Sequence, residues 1–208
     1  MGRRSDHSRD ELERMIVAEG HRHLAEVGFA RFSAREVAKR IGYSIGTIYN
    51  VMGSHDRLLL AVNTRTFQLW AEHLRARLEA AGRDRIRTLV EGYFSFAAEH
   101  RNLWMAIYDH RLPAEEAMPP EFESDRTALT EIVAAEIAAV LPEAARSEAP
   151  RLARSLIATV HGHCTFALNG TFALMGEDAP FELALARVGE AIAAAQQRSS
   201  ASPAGASA

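Results

Sequence analysis

A single cysteine, Cys164, stands in the 208 residues, so no disulfide can form within the chain. That suits a reducing compartment. Long apolar runs are also missing. Nothing approaches the roughly 20 consecutive apolar residues that a membrane-spanning helix needs. The segment Met1 to Asp10 is polar and charged, without the apolar stretch of a secretory leader. The expectation is a soluble, cytoplasmic chain. Nor does one sign of charge prevail, since the formal net charge is −3. Such a chain does not hold a polyanion by its overall field, so any nucleic-acid contact must come from a local surface. Alternation is scarce too. No stretch convincingly alternates apolar and polar residues with period two, which argues against a sheet.

What is present is helical. Hydrophobic residues make up 48% of the chain, enough to bury a core. Alanine, leucine, arginine and glutamate dominate, and all are good helix formers. Helix starts are marked by caps. Ser8-Arg9-Asp10-Glu11 and Ser33-Ala34-Arg35-Glu36 both read as capping boxes, in which serine and glutamate each satisfy a free backbone N–H. Gly28 predicts the end of the first helix. Ser44 opens a third helix and Ser54 a fourth that runs to about Ala80. Gly82 and Arg83 mark a break, after which apolar spacing predicts helices over Ile86 to Ala97 and Asn102 to Asp109. Pro113, Pro119 and Pro120 predict a loop. Helices follow over about Glu121 to Val140, Arg151 to Met175 and Phe181 to Gln197, with Pro142 to Pro150 as a connection. Ser199 to Ala208 is small and polar and reads as a disordered tail.

Residues 33–52 carry the clearest functional pattern. A helix-turn-helix needs a short helix, a tight turn and a second helix whose start enters the major groove. Gly42 stands where the turn demands a left-handed residue, and Ser44 caps the second helix. Ala38, Ile41, Ile48 and Met52 should pack the two helices together. Gly46 leaves room for close approach of the backbone to DNA. Ser33, Arg35, Thr47 and Tyr49 offer phosphate contacts, together with the free N–H groups of the helix start. Tyr43, Ile45, Thr47 and Asn50 are the candidates for reading bases. Asn50 reads equally well as an adenine partner or as a solvent- or phosphate-facing residue. Residues 1–60 hold 10 Lys+Arg against 8 Asp+Glu. Arg31, Arg35, Lys39 and Arg40 cluster there, diluted by Glu26 and Glu36, and the Gly2-Arg3-Arg4 arm adds charge.

From about Ile16 to Val62 the chain resembles the TetR family of bacterial transcriptional regulators. The resemblance rests on Glu26-Val27-Gly28-Phe29, Ser33, Val37-Ala38, Ile41-Gly42, Ser44, Gly46-Thr47-Ile48-Tyr49, and Ser54 with Leu58-Leu59. Three positions depart from the family pattern. Met52 replaces the usual aromatic, Val51 a frequent His or Tyr, and His55 a lysine. His55 makes one expected phosphate contact depend on protonation. The resemblance implies an all-α fold, with a three-helix helix-turn-helix domain over 1–53 and a helical ligand-binding and dimerisation domain over 54–198. It further implies a homodimer formed through the last two helices, on a palindromic operator. Leu152, Leu156, Val160, Phe166, Leu183, Leu185, Val188 and Ile192 supply apolar surface there. Ala153, Ala158, Gly162, Ala186, Gly189 and Ala193 permit close helix approach. His161-Gly162 is similar to the Trp-His-Gly signature of one subgroup, although its tryptophan is missing.

An effector pocket is expected on the aromatic-rich helices. Trp70, Tyr93, Phe94, Phe96, Trp104, Tyr108, Phe166 and Phe172 are the rings that such a pocket would draw on, with His161 and Cys164 as polar contacts. A small hydrophobic or aromatic effector is implied, acting through the fourth helix and Trp70. No metal or cofactor is expected. His161 and Cys164 share a helix face, but they are two ligands where a structural zinc site wants four. No Ser-His-Asp set, phosphate-cradling loop or paired carboxylates stand out, so an enzyme is not expected.

Overall fold

The computed structural model describes residues 7–112 and 118–201. Among them the chain forms α1 (Arg9–Val27), α2 (Ala34–Ile41), α3 (Ile45–Met52), α4 (His55–Glu79), α5 (Arg85–Glu99), α6 (Arg101–Asp109), α7 (Pro120–Val140), α8 (Ala149–Leu168), α9 (Thr171–Leu174) and α10 (Pro180–Ala201). No strand occurs among the described residues, and two short 3-10 turns complete the set. The all-α expectation holds.

Helix starts fall where the caps predict. Ser8 and Glu11 form the full capping box of α1, and Ser54 Oγ accepts the Arg57 N–H at 3.1 Å at the start of α4. The expected helix over 151–175 is interrupted. It ends at Leu168, because Gly170 is left-handed (φ 80°) and the Asn169 side chain accepts from the Thr171 N–H at 3.0 Å. The expected tail begins too early, since α10 continues to Ala201. Residues 202–208, the Gly2-Arg3-Arg4 arm and Pro113 lie outside the described residues.

The chain divides into two compact units, each made of two segments. The first joins Met1–Trp70 to Glu99–Arg126, and the second joins Ala71–Ala98 to Thr127–Ala208. A division at 53/54 is therefore not where packing separates the chain. In the first unit α6 packs on α1, and Leu103 and Ala106 join Leu12, Ile16, Leu24, Val37, Ile48 and Leu58 in one core. Three polar contacts hold α6 there. The Asn102 amide donates to the Ala25 carbonyl at 2.7 Å, Asn63 donates to the Ala106 carbonyl at 3.4 Å, and His110 Nε2 lies 3.1 Å from Asp56 Oδ1. In the second unit Arg85 grips Glu136 with two nitrogens at 2.6 and 2.7 Å, tying α5 to α7. Arg87 reaches Glu182 on α10 at 3.3 Å.

Two histidines of α1 are buried at a cost. His23 is 3% exposed, lies against the Phe32 ring, and neither ring nitrogen has a hydrogen-bond partner among the described residues. Burial lowers its basicity, and Arg40 adds to the effect. His21 is pushed down to about 4, first by burial and then by Arg65 and His100. In the folded protein both rings therefore stay neutral at a pH where the unfolded chain takes up protons. The stability present above the ordinary histidine value of about 6.5 is lost as pH falls below it. For His21 the loss is complete near 4. Urea unfolding between pH 7.5 and 4.5 should show a falling midpoint. His23→Leu should raise the midpoint at neutral pH and flatten its fall below about 6.5, whereas equal slopes in variant and parent would refute this account.

Candidate nucleic-acid interface and apolar cavity

The turn between α2 and α3 is built from three residues. Gly42 adopts φ 77° and ψ 27°, a left-handed conformation in which other residues strain. It lets the Tyr43 N–H donate to the Ala38 carbonyl at 2.9 Å, closing α2. Ser44 then accepts the Thr47 N–H at 3.1 Å, and its hydroxyl lies 2.9 Å from that of Thr47, so both hydroxyls serve the start of α3. Ser33 caps α2 by accepting the Glu36 N–H at 3.3 Å. The reciprocal half of that expected box is absent. The Glu36 carboxylate turns instead to Arg40 at 3.5 Å and Lys39 at 3.7 Å. Ile48 and Met52 bury the inner face of α3, with Ile41 partly buried beside them.

The outer face of α3 presents Gly46, Tyr49 and Asn50 to solvent, while Ile45 and Thr47 are half-buried. A Cβ at Gly46 would meet only Ser44 Oγ, at 3.6 Å, so nothing inside the protein requires glycine there. Tyr43 is half-buried, and its hydroxyl lies 2.8 Å from His7 Nδ1. His55 is exposed, with its ring centroid 5.9 Å from that of Phe32. Two contacts escaped sequence reasoning, which offers no local signal for either. His7 is held by Tyr43, and Arg9 donates to the Val51 carbonyl at 3.0 Å in the last turn of α3, where a cation suits the helix dipole.

The expected basic cluster is divided. Arg40 lies among three carboxylates, at 2.7 Å from Glu26, 3.3 Å from Glu19 and 3.5 Å from Glu36. Its charge is spent joining α1 to α2, and it shares the buried Glu19 with Arg22, which lies at 2.6 Å. Arg31 donates to the Val27 carbonyl at 3.1 Å. Of the other three, Arg35 is exposed without an ion pair among the described residues, Arg31 bonds only that carbonyl, and Lys39 is 79% exposed with one contact to Glu36 at 3.7 Å.

In the second unit, α5, α7, α8 and α10 line a partly open cavity of about 40 Å³. Its wall consists of Ile86, Leu89, Val90, Tyr93, Val133, Ile137, Leu156, Ile157, Val160 and Val188. Tyr93 is the one lining residue with a polar side-chain atom, and its hydroxyl lies 3.0 Å from His161 Nδ1. His161 Nε2 lies 3.4 Å from Thr165 Oγ1. Burial lowers the basicity of His161 and pushes the Cys164 thiol up to about 12, which leaves that thiol unreactive. The other expected pocket residues are elsewhere. Trp70, Trp104 and Tyr108 belong to the first unit, where Trp104 meets Tyr108 edge-on at 5.6 Å. Phe94 packs edge-on against Phe181, and Phe166 is exposed beside Phe172. Ring count alone does not separate rings that fill a core from rings that line a void. The aliphatic wall escaped notice because it has the composition of any core.

The outward faces of α8 and α10 are smooth. A Cβ at Gly162 or Gly189 would meet nothing within 4 Å, and Ala158, Ala186 and Ala193 are exposed beside them. Leu156, Val160, Val188 and Ile192, expected at this surface, are buried in the unit's own core. Exposed apolar surface comes instead from Phe166, Leu174 and Met175.

The two turn glycines should respond oppositely to alanine. Gly42→Ala should cost about 1 kcal/mol in denaturant unfolding, because φ stays positive. Gly46→Ala should be neutral or stabilising by up to about 1 kcal/mol, because alanine favours the helix. Equal losses would show that Gly46 serves the fold.

Comparison with known proteins gives a consistent result. Residues 16–62 match the family model for bacterial regulatory proteins of the tetR family, and residues 86–188 match the tetracyclin repressor-like C-terminal domain. The HTH-type transcriptional regulator Rv1816 of Mycobacterium tuberculosis is 27% identical over 132 residues. That match spans 62% of this chain and 54% of the relative, so the chain aligns with about half of the relative's length. A protein of unknown function from Rhodococcus sp. RHA1 has the same fold, with TM-score 0.67 and 22% identity over 93% of this chain and 98% of that one. So does the multidrug binding protein EbrR complexed with imidazole, with TM-score 0.59 and 20% identity over 97% of this chain and 99% of that one. No helix among the described residues is long and apolar enough to cross a membrane.

Proposed function

The chain belongs to the TetR family of DNA-binding transcriptional regulators, and from that premise we propose that it is a cytoplasmic, homodimeric repressor released from a palindromic operator by a small apolar effector. The observation that carries this reading is the outer face of α3. Gly46, Tyr49 and Asn50 stand clear of the protein, on a helix whose inner face and both ends are fully engaged. Glycine at 46 meets no internal need, and close approach to a DNA backbone supplies one. Asn50 suits paired hydrogen bonds to adenine, while Arg35 and Lys39 suit phosphates.

One such helix reads too few base pairs to find a site alone. The smooth outward faces of α8 and α10, with exposed Phe166, Leu174 and Met175 nearby, support pairing with a second copy. The dimer would hold two α3 helices about one DNA turn apart, roughly 34–36 Å. An effector acts by favouring a helix arrangement that spoils this spacing. α4 belongs to both units, dividing after Trp70, and α5, α7 and α8 supply all of the cavity wall except Val188, so α4 and these helices suit transmission.

Selection of bound DNA from a random pool by the purified full chain tests the reading. A palindrome with half-sites about one turn apart is expected. Asn50→Ala should relax specificity at one base position. Arg35→Ala should weaken all sequences alike and lower the salt slope by about one. Failure to enrich any palindrome would refute the dimeric repressor.

A further inference from the structure

The last turn of α3 holds no basic residue of its own. Its carbonyl end therefore carries the partial negative charge of a helix C-terminus, which repels a phosphate. The start of the same helix is the opposite case, since its N–H groups attract one. α3 has eight residues, so it is about 12 Å long, close to the roughly 12 Å width of the major groove of B-DNA. With Gly46 and Asn50 over the base edges, its two ends approach the two backbones that bound the groove. A helix of this length brings one unfavourable end to a phosphate unless another element masks it.

α1 supplies that mask. An Arg9 Nη donates to the Val51 carbonyl at 3.0 Å, which fixes a full positive charge one residue beyond Asn50. Arg9 is exposed, and no carboxylate pairs with it among the described residues. A guanidinium has five N–H donors, and this carbonyl is the one acceptor that Arg9 meets among the described residues. An open groove of about 600 Å³ adjoins it, with room for a phosphate group. Arg9, Glu13, Asn50, Gly53, Arg57 and Phe122 line the groove. Asn50 places it beside the face that reads bases. Its two guanidinium groups outnumber its one carboxylate, that of Glu13, which stands one turn beyond Arg9 on α1.

Resting on the reading of α3 as the helix in the major groove, we infer that Arg9 is a DNA-contact residue. It masks the carbonyl end of α3 and there binds a backbone phosphate beside the base that Asn50 reads. The contact is to the sugar-phosphate chain and carries no sequence information. The Val51 carbonyl orients the guanidinium, and the phosphate takes the donors that the carbonyl leaves.

The full-length protein on duplex DNA tests this. Arg9→Gln keeps a donor for the Val51 carbonyl and removes the charge. It should weaken binding to every sequence alike and make the salt slope shallower by about 0.9 for each protomer bound. Arg9→Lys, which keeps the charge, should keep the slope. Uncharged methylphosphonates, placed one at a time in the selected duplex, should weaken the parent at one flanking phosphate per half-site. Arg9→Gln should be insensitive at that phosphate. The contact is overturned if Arg9→Gln leaves the slope unchanged, or if it responds to every methylphosphonate as the parent does. A changed base preference at the Asn50 position with an unchanged slope would make Arg9 a support of α3 alone, and it too overturns the contact. Failure to enrich a palindrome would refute the dimeric repressor alone, because the slope is also read on a nonspecific duplex.

Discussion

The N-terminal unit depends on a backbone constraint at one residue. Gly42 must hold a positive φ so that α2 can stop and α3 can start within three residues. From that turn follow the burial of Ile48 and Met52, the outward placement of Gly46, Tyr49 and Asn50, and the angle at which α3 leaves the domain. The inner face of α3 supplies the packing energy that the outer face forgoes. A helix of eight residues is too short to persist in water alone, so its contacts with α1 and α2 give it form.

Charge follows the same division of labour. Arg40 is held among three carboxylates and welds α1 to α2, while Arg35 and Lys39 remain on the surface. A basic cluster in a sequence does not announce which members are structural. Glu26 and Glu36 lower the charge of the cluster, and in the fold they also select which arginine is neutralised.

Local features were legible in the sequence, and features made by distant residues were not. Caps at Ser8, Ser33, Ser44 and Ser54 depend on side chains within three residues of the helix start, and each of the four serines accepts the N–H three residues on. The capping box at Ser33 fell short because Lys39 and Arg40 compete for Glu36 one turn later. The break at Asn169-Gly170 was written locally and was outweighed by apolar spacing on both sides. The seat of α6 against α1 required Asn102 to meet Ala25, 77 residues apart, and no pattern in either segment announces it. The cavity was hidden for a different reason. A void is a property of packing, and the isoleucines, leucines and valines around it are what any helical core contains.

The pairing of α6 with α1 also bears on how this molecule can be divided. Neither compact unit is a continuous stretch of chain, and each is completed by a segment that follows part of the other. Cutting after residue 53 would leave the helix-turn-helix without Leu58, Val62, Leu103 and Ala106 in its core. Its reading head is therefore not a detachable cassette. Grafting this unit onto another regulator would mean transplanting α6 and the start of α4 as well, because a segment distant in the chain completes its core.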